Sequence, residues 1–598
     1  MLKKFFMSFL GSMAAIWLSA MILFVLTIVF IAGLIGSSLK SVEIVDHSIL
    51  HIRLDGTISE HKAPQDIPDL IINGQSNATT FEDILRSLEY AADDSRIEGV
   101  YIDCAGSALG YASRAELREA LSRFKKDSGK WVLAYGDDFS QGDYYVASVA
   151  DTVYLNPVGT LDIHGLSSSV PYFKDALDKL DVNIQVFKVG TYKSAVEPFM
   201  LNSMSEPARM QTQLFLDSIW ASISEGIGMS RKIPAAGVCA LADSLTMSRS
   251  AQWCLTHKLI DKSAYRRQIE DVLCALTETD DPEDLELVSP AEYMSDYAGA
   301  TSAMSDDTHI AVVFADGDIT EDGNEGIVAS SLVPEILRLA KDDNIVGMVL
   351  RVNSGGGSAF ASEQIWDAVR HFKAQGKPVY VSMGDYAASG GYYISCGADR
   401  IYAMPQTLTG SIGIFGIVPS IEGTLDKHLG IHFSSVGTGP DAIDISVTKD
   451  MTPRQKVEMQ RAIQRGYETF VGRVAAGRHI SKDSVDAIAQ GRVWDGNTAL
   501  SIGLVDRIGT LHDAIADLAR QIGISATAYA TYPAEDISPL QRLLSAGITG
   551  QDAIPEALKA KAAWAAIPPA EADKAIRMLG QIVSMSPVQA RMECITLQ

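Results

Sequence analysis

The chain repeats itself at a long, fixed spacing. Residues 132–157 read VLAYGDDFSQGDYYVASVADTVYLNP, and residues 380–405 read YVSMGDYAASGGYYISCGADRIYAMP. Tyr144-Tyr145 falls on Tyr392-Tyr393, Ala150-Asp151 on Ala398-Asp399, and Pro157 on Pro405, all at an offset of 248 with no gap. Upstream, IEGVYIDCAGSALGYASRAELREAL from Ile97 is similar to IVGMVLRVNSGGGSAFASEQIWDAV from Ile345. Downstream, FKVGTYK from Phe187 lines up with SSVGTGP from Ser434, and LIDK from Leu259 with LVDR from Leu504. The offset drifts there by a few residues, as loop insertions make it do.

Each copy runs through a β-branched strand, a Gly- or Ser-containing turn, a helix, a second strand, a small-residue turn and a second helix. In the second copy Ile345–Val352 and Pro378–Met383 read as strands, and Ser362–Ala374 carries Ile365, Ala368, Val369 and Phe372 at helical spacing. Such alternation implies βαβ units and a largely parallel sheet. The expected fold class is therefore α/β, with two tandem domains over residues 41–300 and 301–535. The acidic stretch 277–307 reads as the linker between them. Residues 536–598 read as a C-terminal helical extension without chemistry, with helical runs near Glu556–Ala566 and Ala570–Val583.

The first 40 residues carry a different signal. After Lys3 and Lys4 the chain has no charge from Phe5 to Leu39, more than the roughly 20 apolar residues a bilayer needs and well beyond the about 7–15 of a cleavable signal core. A single membrane-spanning helix over residues 1–40 is expected, the alternative being an unusually long cleaved signal peptide. Lys3, Lys4 and the amino terminus favour an N-inside orientation, weakened by Lys40, which puts the remaining chain on the extracytoplasmic side. The net charge of -24 excludes a nucleic-acid partner, because such a surface repels phosphates. The six cysteines (Cys104, Cys239, Cys254, Cys274, Cys396, Cys594) lack metal-binding spacing, so buried free thiols are expected and no metal or cofactor.

In open α/β sheets, ligands sit at the turns beyond the carboxyl ends of strands. Two turns of the second copy qualify: NSGGGS at Asn353–Ser358, and AASGG at Ala387–Gly391. Neither matches a dinucleotide or P-loop fingerprint, and no GxSxG elbow surrounds Ser389. A lone Gly triplet is ordinarily a tight turn, and a lone serine before a helix is ordinarily its cap. The duplication alters that reading. Where the second copy has Ser389, the first has Gln141; where the first has Lys193, the second has Pro440. Each copy retains one reactive partner and lacks the other, which suggests one composite site.

The segments GDYAASGGYYIS, RVNSGGGSAFASE, TLTGSIGIFG and GTYKSAVEPF together resemble the long, duplicated form of the bacterial signal peptide peptidases, also called protease IV. The resemblance runs from the N-terminal segment to GRVWDGNTALSIGLVDRIG. It implies a fold similar to the Clp protease and crotonase superfamily, a nucleophilic Ser389 and a general-base Lys193. It further implies that Ser411 orients the lysine and that backbone N–H groups near Gly356 and Gly390 form an oxyanion hole. Membrane-retained signal peptides, cleaved as extended chains, are the implied substrates, and a homotetramer the implied assembly. One departure stands out: Gly355 replaces the proline that usually follows Asn-Ser in that family.

A lysine acts as base only when neutral, which near neutral pH needs a depression of roughly three pKa units, about 4 kcal/mol. Val189, Ala195, Val196 and Phe199 suit a dry site, whereas Glu197 must point elsewhere. Three competing readings remain: a Ser–His–Asp triad, for which only His164 lies at a site-forming turn; a crotonase-type acyl enzyme using the NSGGGS turn; and an inactive membrane scaffold.

Overall fold

A computed structural model describes residues 44–62, 78–301, 308–323, 325–439, 442, 445–532 and 588–592, with a few residues before position 23. The expected anchor over 1–40 and the two expected C-terminal helices lie outside the described residues. Among the described residues no helix is long and apolar enough to cross a membrane.

The first copy builds a parallel sheet of six strands: β1 (Ser48–Gly56), β2 (Ile97–Ser107), β3 (Trp131–Gly136), β4 (Thr152–Leu155), β6 (Lys262–Ser263) and β7 (Leu287–Val288), in the order β6-β4-β3-β2-β1-β7. The second copy repeats the plan with β8 (His309–Asp316), β11 (Ile345–Ser354), β13 (Val379–Ala388), β15 (Leu408–Gly410), β17 (Val493–Asp495) and β19 (Tyr529–Tyr532), in the order β17-β15-β13-β11-β8-β19. There β14 (Arg400–Ala403) also pairs with β13 and carries β18 (Arg507–Ile508) beyond it.

Side chains alternate across both sheets, and both faces are covered, as parallel sheets require. Leu50, Ile52, Val100 and Ile102 pack on one face against Ile84, Leu88 and Leu117 of the helices Phe81–Asp93 and Tyr111–Ser128. Ile49, Tyr101 and Leu133 face the other way, onto Ile269 and Leu273. In the second copy Met348, Leu350 and Val381 pack against Ile336 and Ile365, while Val349 and Tyr380 meet Leu518. The duplicated tyrosines keep one job: the Tyr144 hydroxyl donates to the Leu259 carbonyl at 2.6 Å and that of Tyr392 to the Leu504 carbonyl at 2.9 Å.

The ungapped offset does not survive in the strands. Asp151 accepts from Val132 N at 2.9 Å, but Asp399 accepts from Val379 N, not from Tyr380 N, at 2.8 Å. The side chains agree, since Val132 and Val379 each face the larger core of their copy. A strand residue must keep its face, so the second copy absorbs one extra residue between Val379 and the helix Gly390–Ser395. The pairing of β13 with β11 shifts register beyond Val352, and β13 runs ten residues against six in β3.

A third sheet joins segments from distant parts of the chain. Its order is β10-β9-β12-β20-β16-β5, where β5 is Asn183–Lys188, β9 Ile319–Thr320, β10 Ile327–Val328, β12 Gly356–Ser358, β16 Phe415–Ser420 and β20 Val588–Arg591. Two expectations are corrected here. The tail beyond residue 535 is not solely helical, because β20 is a strand held between β12 and β16. The stretch 277–307 is not a plain linker: β7 extends the first sheet, and the helix Pro290–Thr301 buries Tyr293, whose hydroxyl donates to Asp94 at 2.9 Å. Its acidic residues hid the apolar Val288, Tyr293 and Met294, which supply the burial. Cys104, Cys239, Cys254, Cys274 and Cys396 are free thiols.

The two copies meet through a buried charge cluster. Arg351 on β11 donates to Glu60 through Nε and Nη2, both at 3.2 Å, and to Glu116 through Nη2 at 2.7 Å. One guanidinium cannot neutralise two carboxylates in a dry site, and burial pushes the Glu60 carboxyl up to about 7. The folded chain then holds a proton that the unfolded chain releases from about pH 4.5 upward, so this group's contribution to stability falls as pH rises towards 7. Glu60→Gln is expected to flatten that decline, worth roughly 3 kcal/mol across the window. Thermal melts of both proteins between pH 5 and 8 check it; parallel curves contradict it.

Candidate active site

Strand β13 delivers Ser389. The strand ends at Ala388, and Ser389 turns the chain with φ 55 and ψ −112 into the helix Gly390–Ser395. A serine at positive φ costs on the order of 1–3 kcal/mol, so its surroundings must hold it. They do: Ser389 N donates to the Gly410 carbonyl at 2.8 Å, and Tyr393 N donates to the Ser389 carbonyl at 2.8 Å. The hydroxyl does not cap the helix, which removes the ordinary reason for a serine there. In the first copy the matching turn is structural. Ser140 Oγ caps its helix by accepting from Asp143 N at 3.1 Å. Gln141 donates to Tyr111 and to the Gly165 carbonyl and accepts from His164 N and Gly165 N, each at 2.9 Å.

Strand β5 delivers Lys193. Although it belongs to the first copy, β5 runs antiparallel to β16 of the second, from Lys188 opposite Phe415 to Asn183 opposite Ser420. The loop that follows is pinned to the second copy as well. Tyr192 N donates to the Gln490 carbonyl at 2.9 Å, and Gln211 donates to the Ser194 hydroxyl at 2.9 Å while accepting from Val493 N at 3.2 Å. The backbone of Gly491 presses so close that a Cβ there would lie 2.7 Å from that of Lys193; its φ of +77 also needs glycine.

These elements bring Lys193 Nζ to 2.8 Å from Ser389 Oγ, across 196 residues of sequence. The same nitrogen donates to Ser411 Oγ at 3.0 Å and to the Ser411 carbonyl at 3.1 Å. Lys193 is 1% exposed, Ser389 0% and Ser411 1%. The Phe415 ring closes another side, its centroid 5.9 Å from Nζ. Ser411 follows β15 directly, beside Ser389 at the end of β13, and its φ of 49 is held by Ser411 N donating to the Arg492 carbonyl at 2.7 Å. Glu197 is turned to Ser205, accepting from its N at 3.0 Å and its Oγ at 2.6 Å.

The two glycines proposed for the oxyanion hole are neighbours: a Cβ on Gly356 would lie 2.7 Å from Gly390 N. The Gly390 N–H opens its helix and has no intrahelical acceptor, whereas Gly356 N donates to Ser354 Oγ at 3.1 Å. No histidine hydrogen-bonds to Ser389 among the described residues. His164 instead lies beside Asp162, at 3.1 Å.

A hydroxyl left out of capping, next to a buried amine and a helix-opening N–H without an intrahelical acceptor, can undergo proton removal and attack a carbonyl. The sequence profile of Peptidase family S49 matches twice, over residues 124–279 and 371–525, which together make up just over half of the chain. The chain belongs to peptidase family S49. The Clp protease profile matches residues 308–409, the span carrying Gly356 and Ser389. Among curated relatives, this S49 chain is 41% identical over 447 residues to Protease 4 of Salmonella typhi, covering 73% of this chain and 71% of that one. It is 38% identical over 513 residues to Protease 4 of Haemophilus influenzae, covering 82% of each. It is 27% identical over 437 residues to the chloroplastic serine protease SPPA of Arabidopsis thaliana, covering 71% of this chain and 63% of that one. This S49 member is a serine peptidase of duplicated α/β architecture.

Several site elements gave no sequence signal. Gln211 and Gly491, which hold the Lys193 loop, lie in a helix and a turn of ordinary composition. The swapped strand β5 is legible only afterwards, as an apolar run (Ile184, Val186, Phe187) just before the lysine.

Proposed function

We propose that Ser389 is the nucleophile of this peptidase and Lys193 its general base. The observation that carries the reading is the 2.8 Å separation of their reactive atoms inside a buried pocket. A neutral amine has two protons and one lone pair. The two Ser411 oxygens can take the protons, leaving the lone pair for the Ser389 hydroxyl. Burial of the lysine disfavours an ammonium ion, and occupation of Glu197 by Ser205 removes a carboxylate that would favour one.

In the forward reaction Lys193 takes the hydroxyl proton as Ser389 Oγ bonds to the substrate carbonyl carbon. The same proton passes to the departing amine, leaving an acyl-enzyme, and Lys193 then activates the hydrolytic water. The developing oxyanion is stabilised by Gly390 N–H, joined by Gly356 N–H once it leaves Ser354. A crotonase-type acyl enzyme needs no such pair, and peptide against acyl-CoA turnover separates the two.

The proposed substrates are extended peptides, above all signal peptides left in the bilayer after cleavage. The uncharged run Phe5–Leu39 would anchor the chain N-inside in the cytoplasmic membrane and hold the site on its outer side, as part of a homotetramer. The deciding test is labelling by a serine-reactive fluorophosphonate. Wild type is expected to label, Ser389→Ala not at all, and Lys193→Ala at least about a hundredfold more slowly. Equal labelling of wild type and Ser389→Ala refutes the assignment.

A further inference from the structure

The C-terminal strand β20 lies between the two strands that border Ser389 and Lys193. It runs antiparallel to β12, with Arg591 opposite Gly356, Ala590 opposite Gly357 and Gln589 opposite Ser358. On its other side it runs antiparallel to β16, with Gln589 opposite Phe415 and Val588 opposite Gly416. Met592 N continues the ladder by donating to the Gly355 carbonyl at 2.7 Å. The carbonyl oxygen of Ala590 comes so near the two turn glycines that a Cβ on Gly356 would lie 2.1 Å from it, and a Cβ on Gly390 2.9 Å. Those are the two glycines whose N–H groups are proposed to receive the carbonyl oxygen of a bound peptide.

The neighbouring side chains then read out what the groove accepts. Ala590 is fully buried and packs into the core of the second copy, leaving no space for a larger group. Arg591, the next residue, pairs with Asp318 through Nη2 and Oδ2. Asp318 is fixed in the turn between β8 and β9, where its carbonyl accepts from Ile327 N at 2.9 Å. It remains 46% exposed, open to a side chain arriving from outside.

We propose that Gln589–Arg591 occupies the substrate groove as a built-in peptide, and that Asp318 is a specificity-determining residue. The site would take a small side chain at the residue whose carbonyl is attacked, and a basic one immediately after it. This rests on the peptidase reading above and names its substrate class. An extended peptide binding there gains main-chain bonds from both flanking strands, with alternate side chains setting preference.

The test uses the full-length chain and internally quenched extended peptides that differ at the two central positions: Ala-Arg, Ala-Leu, Ala-Glu and Trp-Arg. Ala590→Glu places a charge where only a methyl fits and empties the groove. Its kcat/KM for Ala-Arg is expected to rise about fivefold or more over wild type. Asp318→Lys is expected to shift preference from Ala-Arg to Ala-Glu by at least about fivefold, the scale of a partly exposed ion pair. A labelled peptide of residues 586–594 should bind Ser389→Ala/Ala590→Glu in fluorescence anisotropy, a readout that needs no turnover. Unchanged preference in Asp318→Lys, or a peptide that does not bind, overturns the proposal. Because binding is scored in a protein without Ser389, failure here is distinct from failure of the peptidase reading, which loss of fluorophosphonate labelling reports.

Discussion

Ser389→Ala is expected to lower kcat/KM for peptide hydrolysis by on the order of ten-thousandfold, with no change in fold. The hydroxyl caps no helix and, among the described residues, its side-chain partner is Lys193, so removing it takes away chemistry and little structure. Lys193→Ala should cost a similar amount, because the hydroxyl then lacks a proton acceptor. The two losses should not add: groups that act as a unit fail as a unit, and the double variant should match either single one. Lys193→Arg is the sharper probe. It preserves a long cationic side chain but cannot become neutral, so it should be as inactive as Lys193→Ala. Circular dichroism on each variant separates lost chemistry from lost structure. Substantial turnover in Lys193→Arg would show that the amine does not serve as base.

Arg351→Ala is expected to be the most destabilising single change away from the site. It would leave Glu60 and Glu116 buried with their shared cation gone, a situation that costs about 3–5 kcal/mol. Glu116 would still accept from Leu511 N at 2.7 Å, whereas Glu60 would lose the guanidinium that donates to both its oxygens. The remedy should therefore be specific: Arg351→Met with Glu60→Gln and Glu116→Gln should recover most of the loss, since an uncharged cluster needs no counterion. Urea unfolding midpoints of the single and triple variants measure both effects. Glu60 and Glu116 come from the first copy and Arg351 from the second, so Arg351→Ala should also uncouple the unfolding of the halves. A single cooperative transition at the wild-type midpoint would show that the cluster is dispensable.

Much of the site was legible because evolution left two copies to compare. Ser389 against Gln141, and Lys193 against Pro440, is a contrast written in the letters alone. What Gln141 does instead was not legible: it ties down the His164–Gly165 turn by hydrogen bonds that depend on backbone direction. The one-residue shift in β13 was hidden for a related reason. Identical letters at Gly136 and Gly384 align without a gap, but side-chain facing follows the pleat, and only the ladder reveals which residue was added.

Local periodicity determined the α/β class and the repeated strand–helix plan, because these depend on residues near one another in sequence, and comparison of the two copies singled out the two side chains proposed to react. Tertiary structure alone decided that β5 leaves its own copy to pair with β16, and that the last described strand inserts between β12 and β16. Strand pairing is made by backbone groups that every residue carries, so nothing in a side-chain sequence states which distant edge a strand will join. That choice closes the 196-residue gap between a lysine and a serine to 2.8 Å.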